Sequence, residues 1–206
     1  MAEILAKAVV DAKAKIGAGV VIGPFAVIEE ATIGDNTKVW HFCHVRAGAV
    51  IGSNCILGKG VYVDSGAVIG NGCKLQNNAN VYHGVKIGNN IFVGPNVSFT
   101  NDLRPRAKEW SDERLGYTIV EDGASIGANS VVVCGSKSNP RTLGGHCMVG
   151  ASSVVADNVP SHALFYGNPA SLKGWVCECG KKLGNEKTAS GEKLSCPCGK
   201  SFTVKK

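Results

Sequence analysis

The 206-residue sequence predicts an all-β solenoid, on three observations. An aliphatic or Phe residue recurs at every sixth position from Ile33 to Phe99, twelve times in register. The next residue is Gly in six of these hexads (Gly34, Gly52, Gly58, Gly70, Gly88, Gly94), as a tight corner without a Cβ penalty requires. Four positions after each aliphatic the residue is small or apolar, Cys43, Ala49, Cys55, Ala67, Cys73 and Ala79 among them. Each hexad therefore offers two inward residues. A helix repeats at about 3.6 residues and a hairpin strand at about 2, so a period of six with a Gly corner describes short strands separated by regular turns.

The elements follow in order along the chain. The phase begins at Ile4, Val10, Ile16 and Ile22 and slips by one residue near Val27. After Phe99 it returns at Val120, Ile126 and Val132, and again at Leu143, Val149 and Val155. Residues 101–118 leave the repeat and return to it, so they form a loop thrown out from one coil, a usual place for function on a rigid scaffold. SKSNPR, 136–141, is a second excursion. The aperiodic run after Val155, with Pro160 and Pro169, closes the solenoid. The expected organisation is one solenoid domain over 1–172 and a separate module over 173–206.

Composition limits the function classes. Hydrophobic residues are 44%, enough to fill a core, while aromatics are 6%, so that core is built from small aliphatic side chains. Lys plus Arg exceed Asp plus Glu by 22 to 16, many of the basic residues lying in the last forty positions. This modest excess suits anionic small molecules, and no basic stripe interleaved with aromatics marks a nucleic-acid partner. No stretch approaches 18 apolar residues, and Met1–Val10 carries Glu3 and Lys7 with no basic leader, so neither a membrane span nor a signal peptide is expected and the cytoplasm is the default.

The nine cysteines divide by position. Cys43, Cys55, Cys73 and Cys147 fall on the small inward position and are expected to be buried without chemistry. Cys134 has no assignment. Cys177 and Cys179, and Cys196 and Cys198, form two short pairs, each followed by Gly and separated by sixteen residues. Two such knuckles present four thiolates to one tetrahedral Zn²⁺, here with one residue inside each pair where two are usual. Two disulfides or free thiols are the alternatives. So short a segment has little core, and a structural zinc would supply its folding energy.

If three hexads make a coil, residues 18 apart stack at the strand spacing of about 4.8 Å. His41, Lys59, Asn77 and Pro95 then form one column, Phe42, Gly60, Asn78 and Asn96 a second, and His44, Tyr62, Asn80 and Ser98 a third, expected on one face. Tyr82 and His83 adjoin it in sequence, and Asn101 lies 18 residues beyond His83. An Asn turn ladder and solvated histidines are the alternatives to a functional role.

The repeat resembles that of the hexapeptide-repeat acyltransferases, which implies a left-handed parallel β-helix with three hexads per triangular coil; the general crossover rule favours the opposite hand. The stretches WHFCHV (40–45), LQNNANVYHGV (75–85), FTNDLRPRA (99–107), SIGANSVVVCG (125–135), HCMVGASSVV (146–155) and YGNPASLKGWVC (166–177) resemble the nucleotide-linked 3-amino-sugar N-acetyltransferases. That resemblance implies transfer of an acetyl group from acetyl-CoA to the 3-amino group of a UDP- or dTDP-linked sugar for surface polysaccharide, in a homotrimer with sites between subunits. It implies a reaction near Asn77, Asn78 and His83, the Asn pair orienting sugar or thioester and His83 accepting the amine proton. His41, His44 and Tyr82 would line the sugar site, and Asn101, Asp102, Arg104 and Arg106 would shape the pocket. Lys137, Arg141 and Lys173 would meet coenzyme A phosphates, although SKSNPR lengthens a turn in that region. The loop contains no His, and an amine, already nucleophilic, can do without a strong base.

Three other functions stay open on the sequence. They are acetylation of a 4-amino sugar or hydroxyl, a carbonic-anhydrase-like site with three His on Zn²⁺, and a non-catalytic assembly protein.

Overall fold

The structure, a computed structural model, describes residues 1–206. From Glu3–Ile4 to Val154–Val155 the chain winds as strands of two or three residues, distributed in turn over three parallel sheets. The sheets are the faces of a triangular solenoid. Face one contains Lys38–Val39, Ile56–Leu57 and Lys74–Leu75; face two contains His44–Val45, Tyr62–Val63 and Asn80–Val81; face three contains Val50–Ile51, Val68–Ile69 and Val85–Ile87. Registers such as Tyr62↔Asn80 and Val63↔Val81 set successive coils 18 residues apart. No helix is long and apolar enough to cross a membrane.

Each two-residue strand turns its first side chain outward and its second inward, which is why the aliphatic of every hexad is buried. Those aliphatics and the small inward residues form a core of 41 buried residues. The inward thiols belong to it: Cys43, Cys55 and Cys73 donate to the carbonyls of Gly58, Gly70 and Gly88 at 3.0, 3.1 and 3.1 Å. Burial pushes the Cys43 thiol up to about 11 and Cys147 to about 12, so neither is a nucleophile at neutral pH. Cys134, also buried, packs into the space left by the missing Cβ of Gly116, where the 101–118 loop rejoins the coil.

The glycines after the aliphatics serve a different purpose from the one the sequence suggests. The left-handed conformation falls two residues later, on Asn36, Asn54, Asn78, Asn90 and Asn96, with φ between 55° and 58°, and on Gly60 and Gly72. Gly52 and its equivalents are needed because the coils approach closely: a Cβ on Gly52 would stand 2.7 Å from the carbonyl carbon of Gly70 in the next coil. The one-residue slip is located between Ile28 and Ile33, at the corner Glu29-Glu30-Ala31, so Ile28 pairs with Val45 seventeen residues on.

After Val154–Val155, strand Ala163–Gly167 extends face one in parallel, and Ala170–Val176 turns back antiparallel beside it. The expected boundary at 172/173 thus falls inside a strand. Lys182–Gly184 continues the same sheet, and Lys193–Ser195 pairs with Ser201–Thr203. Trp175 and Val204 join the main core and Leu194 and Phe202 pack against it, so the tail is docked on the solenoid.

Candidate functional site

The solenoid has three edges. The first lies between faces one and two, the second between faces two and three, and the third between faces three and one. The second edge carries both excursions: 101–118 leaves after Ser98–Phe99 of face two and re-enters at Thr118–Val120 of face three, and 136–140 joins Val131–Val132 to Arg141–Leu143.

His83 lies on this edge, its ring against the backbone of Gly66 one coil below. Its Nδ1 stands 2.6 Å from the carbonyl oxygen of Ser65. A carbonyl only accepts, so Nδ1 carries the hydrogen and Nε2 is the acceptor of the neutral ring.

Asp64, 9% exposed, occupies the inside of the same corner. Its Oδ1 accepts from the Ser65 N–H at 2.8 Å, the Tyr62 hydroxyl at 3.1 Å and Arg46 Nη1 at 3.1 Å, and its Oδ2 accepts from the His83 N–H at 3.3 Å. Burial pushes this carboxyl upward, yet the Ser65 and His83 N–H groups, Tyr62 and Arg46 together outweigh it, and the net shift is below the usual carboxylate value. Glu29, two coils below Asp64, accepts from Ala47 N–H at 2.9 Å and meets His44 Nε2 at 2.7 Å; those two contacts hold its carboxyl below the ordinary range. Aromatic contacts continue the column, His44 to Tyr62 at 5.6 Å and Tyr62 to Tyr82 at 5.5 Å between ring centroids.

Above Tyr82 opens a cavity of about 500 Å³, lined by Tyr82, Ser98, Asn101, Asp102, Leu103 and Val133 with neighbouring loop residues. The loop that walls it is tied at its base by Gly116 N–H to Asn101 O, 2.8 Å, and by a bridge between Asp102 and Leu115. Asp102 Oδ1 also accepts from the Arg104 N–H at 2.8 Å, so this carboxylate shapes the turn it sits in. The guanidinium of Arg106 folds onto the adjacent Pro105 carbonyl, while Arg114 pairs with Glu109 at 2.7 Å. Tyr82, His83, Asn101 and Asp102 are therefore brought to one edge.

Asn77, Asn78 and His41 lie on the first edge, at the other end of face two from His83. There the Asn side chains bridge coils. Asn77 Oδ1 accepts from Lys59 N–H at 3.0 Å, Asn78 donates to Asn96 at 3.2 Å, and Asn96 donates to Asn129 at 2.9 Å. Asn78 also has φ 58°, the left-handed corner conformation that Asn tolerates. His41 meets Phe42 edge-on at 5.6 Å, and Phe42 stacks on Phe25. Of the three columns expected on one face, only that of His44, Tyr62, Asn80 and Ser98 lies on face two itself; the other two are corner columns.

The basic residues separate too. Lys137 lies in the second excursion, and Arg141 donates to the Val133 carbonyl at 3.0 Å and to Asn158 at 3.3 Å, beside the cavity wall. Lys173 is at the far end of face one, its Nζ 5.8 Å from the centroid of Tyr166. In the tail, the Sγ atoms of Cys177, Cys179, Cys196 and Cys198 all lie within 4.8 Å of one another, with close pairs at 3.5 and 3.6 Å. Four ligands at about 2.3 Å around a tetrahedral Zn²⁺ stand about 3.8 Å apart, so this donor set fits zinc.

Glu29, Arg46 and Asp64 escape the sequence analysis. The signal was present in part: Arg46, Asp64 and Tyr82 are 18 residues apart, two positions beyond the His44 column, and Ala47, Ser65 and His83 follow three positions beyond it, while Glu29 lies 17 residues before Arg46 because of the slip.

The model of the bacterial transferase hexapeptide (six repeats) matches residues 30–65 and 66–101, and that of the hexapeptide repeat of succinyl-transferase matches 48–83. The chain is 49% identical over 181 residues to dTDP-3-amino-3,6-dideoxy-alpha-D-galactopyranose 3-N-acetyltransferase of Aneurinibacillus thermoaerophilus, covering 88% of this chain and 89% of that one. It is 32% identical over 159 residues to the bifunctional protein GlmU of Synechococcus sp. (strain RCC307), covering 77% of this chain and 32% of that relative, about a third of its length. Among solved structures it is similar to the UDP-N-acetylglucosamine acyltransferase from Campylobacter jejuni, with TM-score 0.60 and 18% identity over 84% of this chain and 75% of that one. The likeness is one of fold.

The lowered carboxyl of Asp64 has a signed consequence. A group whose pKa is depressed by folding stabilises the fold above its unfolded value and loses that contribution as pH falls through the folded value. The stability difference between the wild type and Asp64→Asn, from urea unfolding followed by circular dichroism, is therefore expected to shrink as pH is lowered from about 5 to about 3. A difference independent of pH over that range would contradict the network.

Proposed function

This chain belongs to the hexapeptide-repeat sugar N-acetyltransferases and shares their left-handed parallel β-helix, and from that premise we propose that it acetylates the 3-amino group of a nucleotide-linked amino sugar at its second edge. The observation that carries the location is a cavity of about 500 Å³ lined by Tyr82, Asn101 and Asp102, on the same edge as His83, the residue next to Tyr82. The 3-amino position and the dTDP-linked sugar are supported by the name of the relative at 49% identity.

In this reaction the amine nitrogen attacks the thioester carbonyl of acetyl-CoA, a C–N bond forms, the C–S bond breaks, and coenzyme A leaves as thiolate. The amine must release one proton. Neutral His83 accepts it on Nε2 and passes it to the departing thiolate, which restores the starting ring and gives the thiol. The Asn101 amide offers a donor to the carbonyl oxygen as charge develops there. Tyr82 supplies an apolar wall for the sugar ring, and Arg141 and Lys137, on the same edge, supply positive charge for phosphate groups. Asn77 and Asn78 hold the first edge by their coil-to-coil hydrogen bonds and take no chemical step. His41 and Lys173, away from the cavity, reach a substrate only from another copy. We place the enzyme in the cytoplasm, in surface polysaccharide biosynthesis, as a homotrimer; Val50, Val68 and Ile119 are exposed apolar residues of one column on face three, with Lys86 between the last two, and suit packing between copies.

The tail cysteines are assigned to one structural Zn²⁺. Bound metal would supply the energy that orders the knuckles. The Cys198 thiol is drawn down to about 7, chiefly by the Lys200 backbone N–H and then by hydrogen bonds with the Cys196 and Cys177 thiols, while the same thiol contacts help push Cys196 and Cys177 up, so the remaining protons leave as metal binds. Thiolate is the form a metal binds.

Coenzyme A release, measured with acetyl-CoA and a panel of dTDP- and UDP-linked 3-amino and 4-amino sugars, is expected only with 3-amino acceptors, and His83→Ala should lower kcat about 100-fold. Turnover confined to 4-amino or hydroxyl acceptors would overturn the substrate assignment, and an unchanged rate in His83→Ala would overturn the proton acceptor. Elemental analysis of the purified chain should give one zinc per chain, with chelation exposing the 177–206 segment to protease while the solenoid stays folded. A zinc-free chain with a protected tail would contradict the metal assignment.

A further inference from the structure

We propose that Asp64 is a positioning residue that fixes the His83 imidazole with its hydrogen on Nδ1 and its acceptor nitrogen, Nε2, available to the amine. The proposal rests on the assignment of the reaction to His83.

The geometry is that of one carboxylate holding both ends of a contact. The Ser65 carbonyl receives the ring hydrogen of His83 at 2.6 Å, and the N–H of that same Ser65 donates to Asp64 Oδ1 at 2.8 Å. The backbone N–H of His83 donates to the other oxygen, Oδ2, at 3.3 Å. The residue that receives the ring hydrogen and the residue that carries the ring are therefore tied to Asp64, although they belong to adjacent coils.

The remaining contacts explain why a carboxylate stands here. Tyr62 and Arg46 also donate to Oδ1, each at 3.1 Å, so every group converging on the side chain is a donor. An ionised carboxylate is acceptor-only and meets all four. A carboxamide of the same shape would turn an NH₂ towards one of those donors, and a buried donor left without its acceptor is costly. In the opposite tautomer, the His83 Nδ1 lone pair would face the Ser65 carbonyl oxygen at 2.6 Å, acceptor against acceptor. The tautomer that leaves Nε2 able to take a proton thus depends on the Ser65 carbonyl staying where Asp64 holds it. Asp64 touches neither substrate nor the reacting atoms in this arrangement and acts through His83.

The test is the ring nitrogen spectrum of His83 in the ¹⁵N-labelled full chain, read by two-bond ¹H–¹⁵N correlation near neutral pH, with kcat and KM measured on the same samples. Wild type is expected to show hydrogen on Nδ1. In Asp64→Asn the population is expected to move towards the Nε2–H form, with kcat down about tenfold and KM for the amino sugar within about threefold of wild type. If Asp64→Asn does not fold, Asp64→Glu keeps the charge, displaces the oxygens and gives the same spectral readout. A wild-type ring with its hydrogen on Nε2, or a tautomer unmoved in the folded variant, overturns the proposal. A tautomer that shifts while His83→Ala retains full activity upholds the positioning by Asp64 and removes His83 from the reaction.

Discussion

The structure depends on strand-to-strand backbone hydrogen bonding that runs from coil to coil along the solenoid. The two-residue strands bond to the coils on either side, as His44 N–H does to Val61 O and Tyr62 N–H to Ala79 O, both at 3.0 Å. A coil that shifted by one residue would turn its inward aliphatics outward and break both ladders, so the stack tolerates little slippage. The consequence outside the core is a fixed lattice. Side chains 18 residues apart stand above one another at strand spacing, and each edge becomes a vertical column whose members touch.

The edges use that lattice differently. The first closes its column with amides: Asn77, Asn78, Asn96 and Asn129 satisfy one another and the backbone, and Asn78 carries a corner conformation with positive φ. The second is built around charge. Arg46 stands between Glu29 and Asp64, Asp64 collects four donors, and the column ends in Tyr82 and His83 below a loop that the coil extrudes. A half-exposed arginine with two carboxylates beside it has little affinity left for a substrate anion, so its role is to brace the edge. The energetic value of such pairs depends on burial, and only Asp64, with its side chain 12% exposed, is sheltered enough for loss of a partner to matter strongly.

Most of the fold was legible in the sequence because a period of six with paired inward positions has few other physical solutions. The four inward thiols, the two excursions and the slip near Val27 all follow from that period. What it could not convey was the reason for the glycines, since close approach between coils and positive φ both select Gly, and here the positive φ sits two residues later on Asn36, Asn54 and their equivalents. The site was legible only in part. Asn77 and His83 are six residues apart, close enough to read as one cluster, yet one strand and its corners place them on different edges. Asp64 is a common residue type at a turn, and nothing local distinguishes it; its meaning comes from Arg46 one coil below and His83 one coil above. The tail boundary was blurred for a similar reason, because Trp175 belongs by sequence to the cysteine module and by packing to the solenoid core.

In the proposed reaction the acetyl acceptor is held at the second edge, under the 101–118 loop. A crystal structure of the full chain with coenzyme A and a dTDP-linked 3-amino sugar tests it most directly. The account predicts the sugar in the cavity lined by Tyr82, Asn101 and Asp102, with its amine nitrogen within about 3.2 Å of His83 Nε2. A sugar bound against Asn77 and Asn78 at the first edge, with the His83 ring of every copy out of contact, would contradict it.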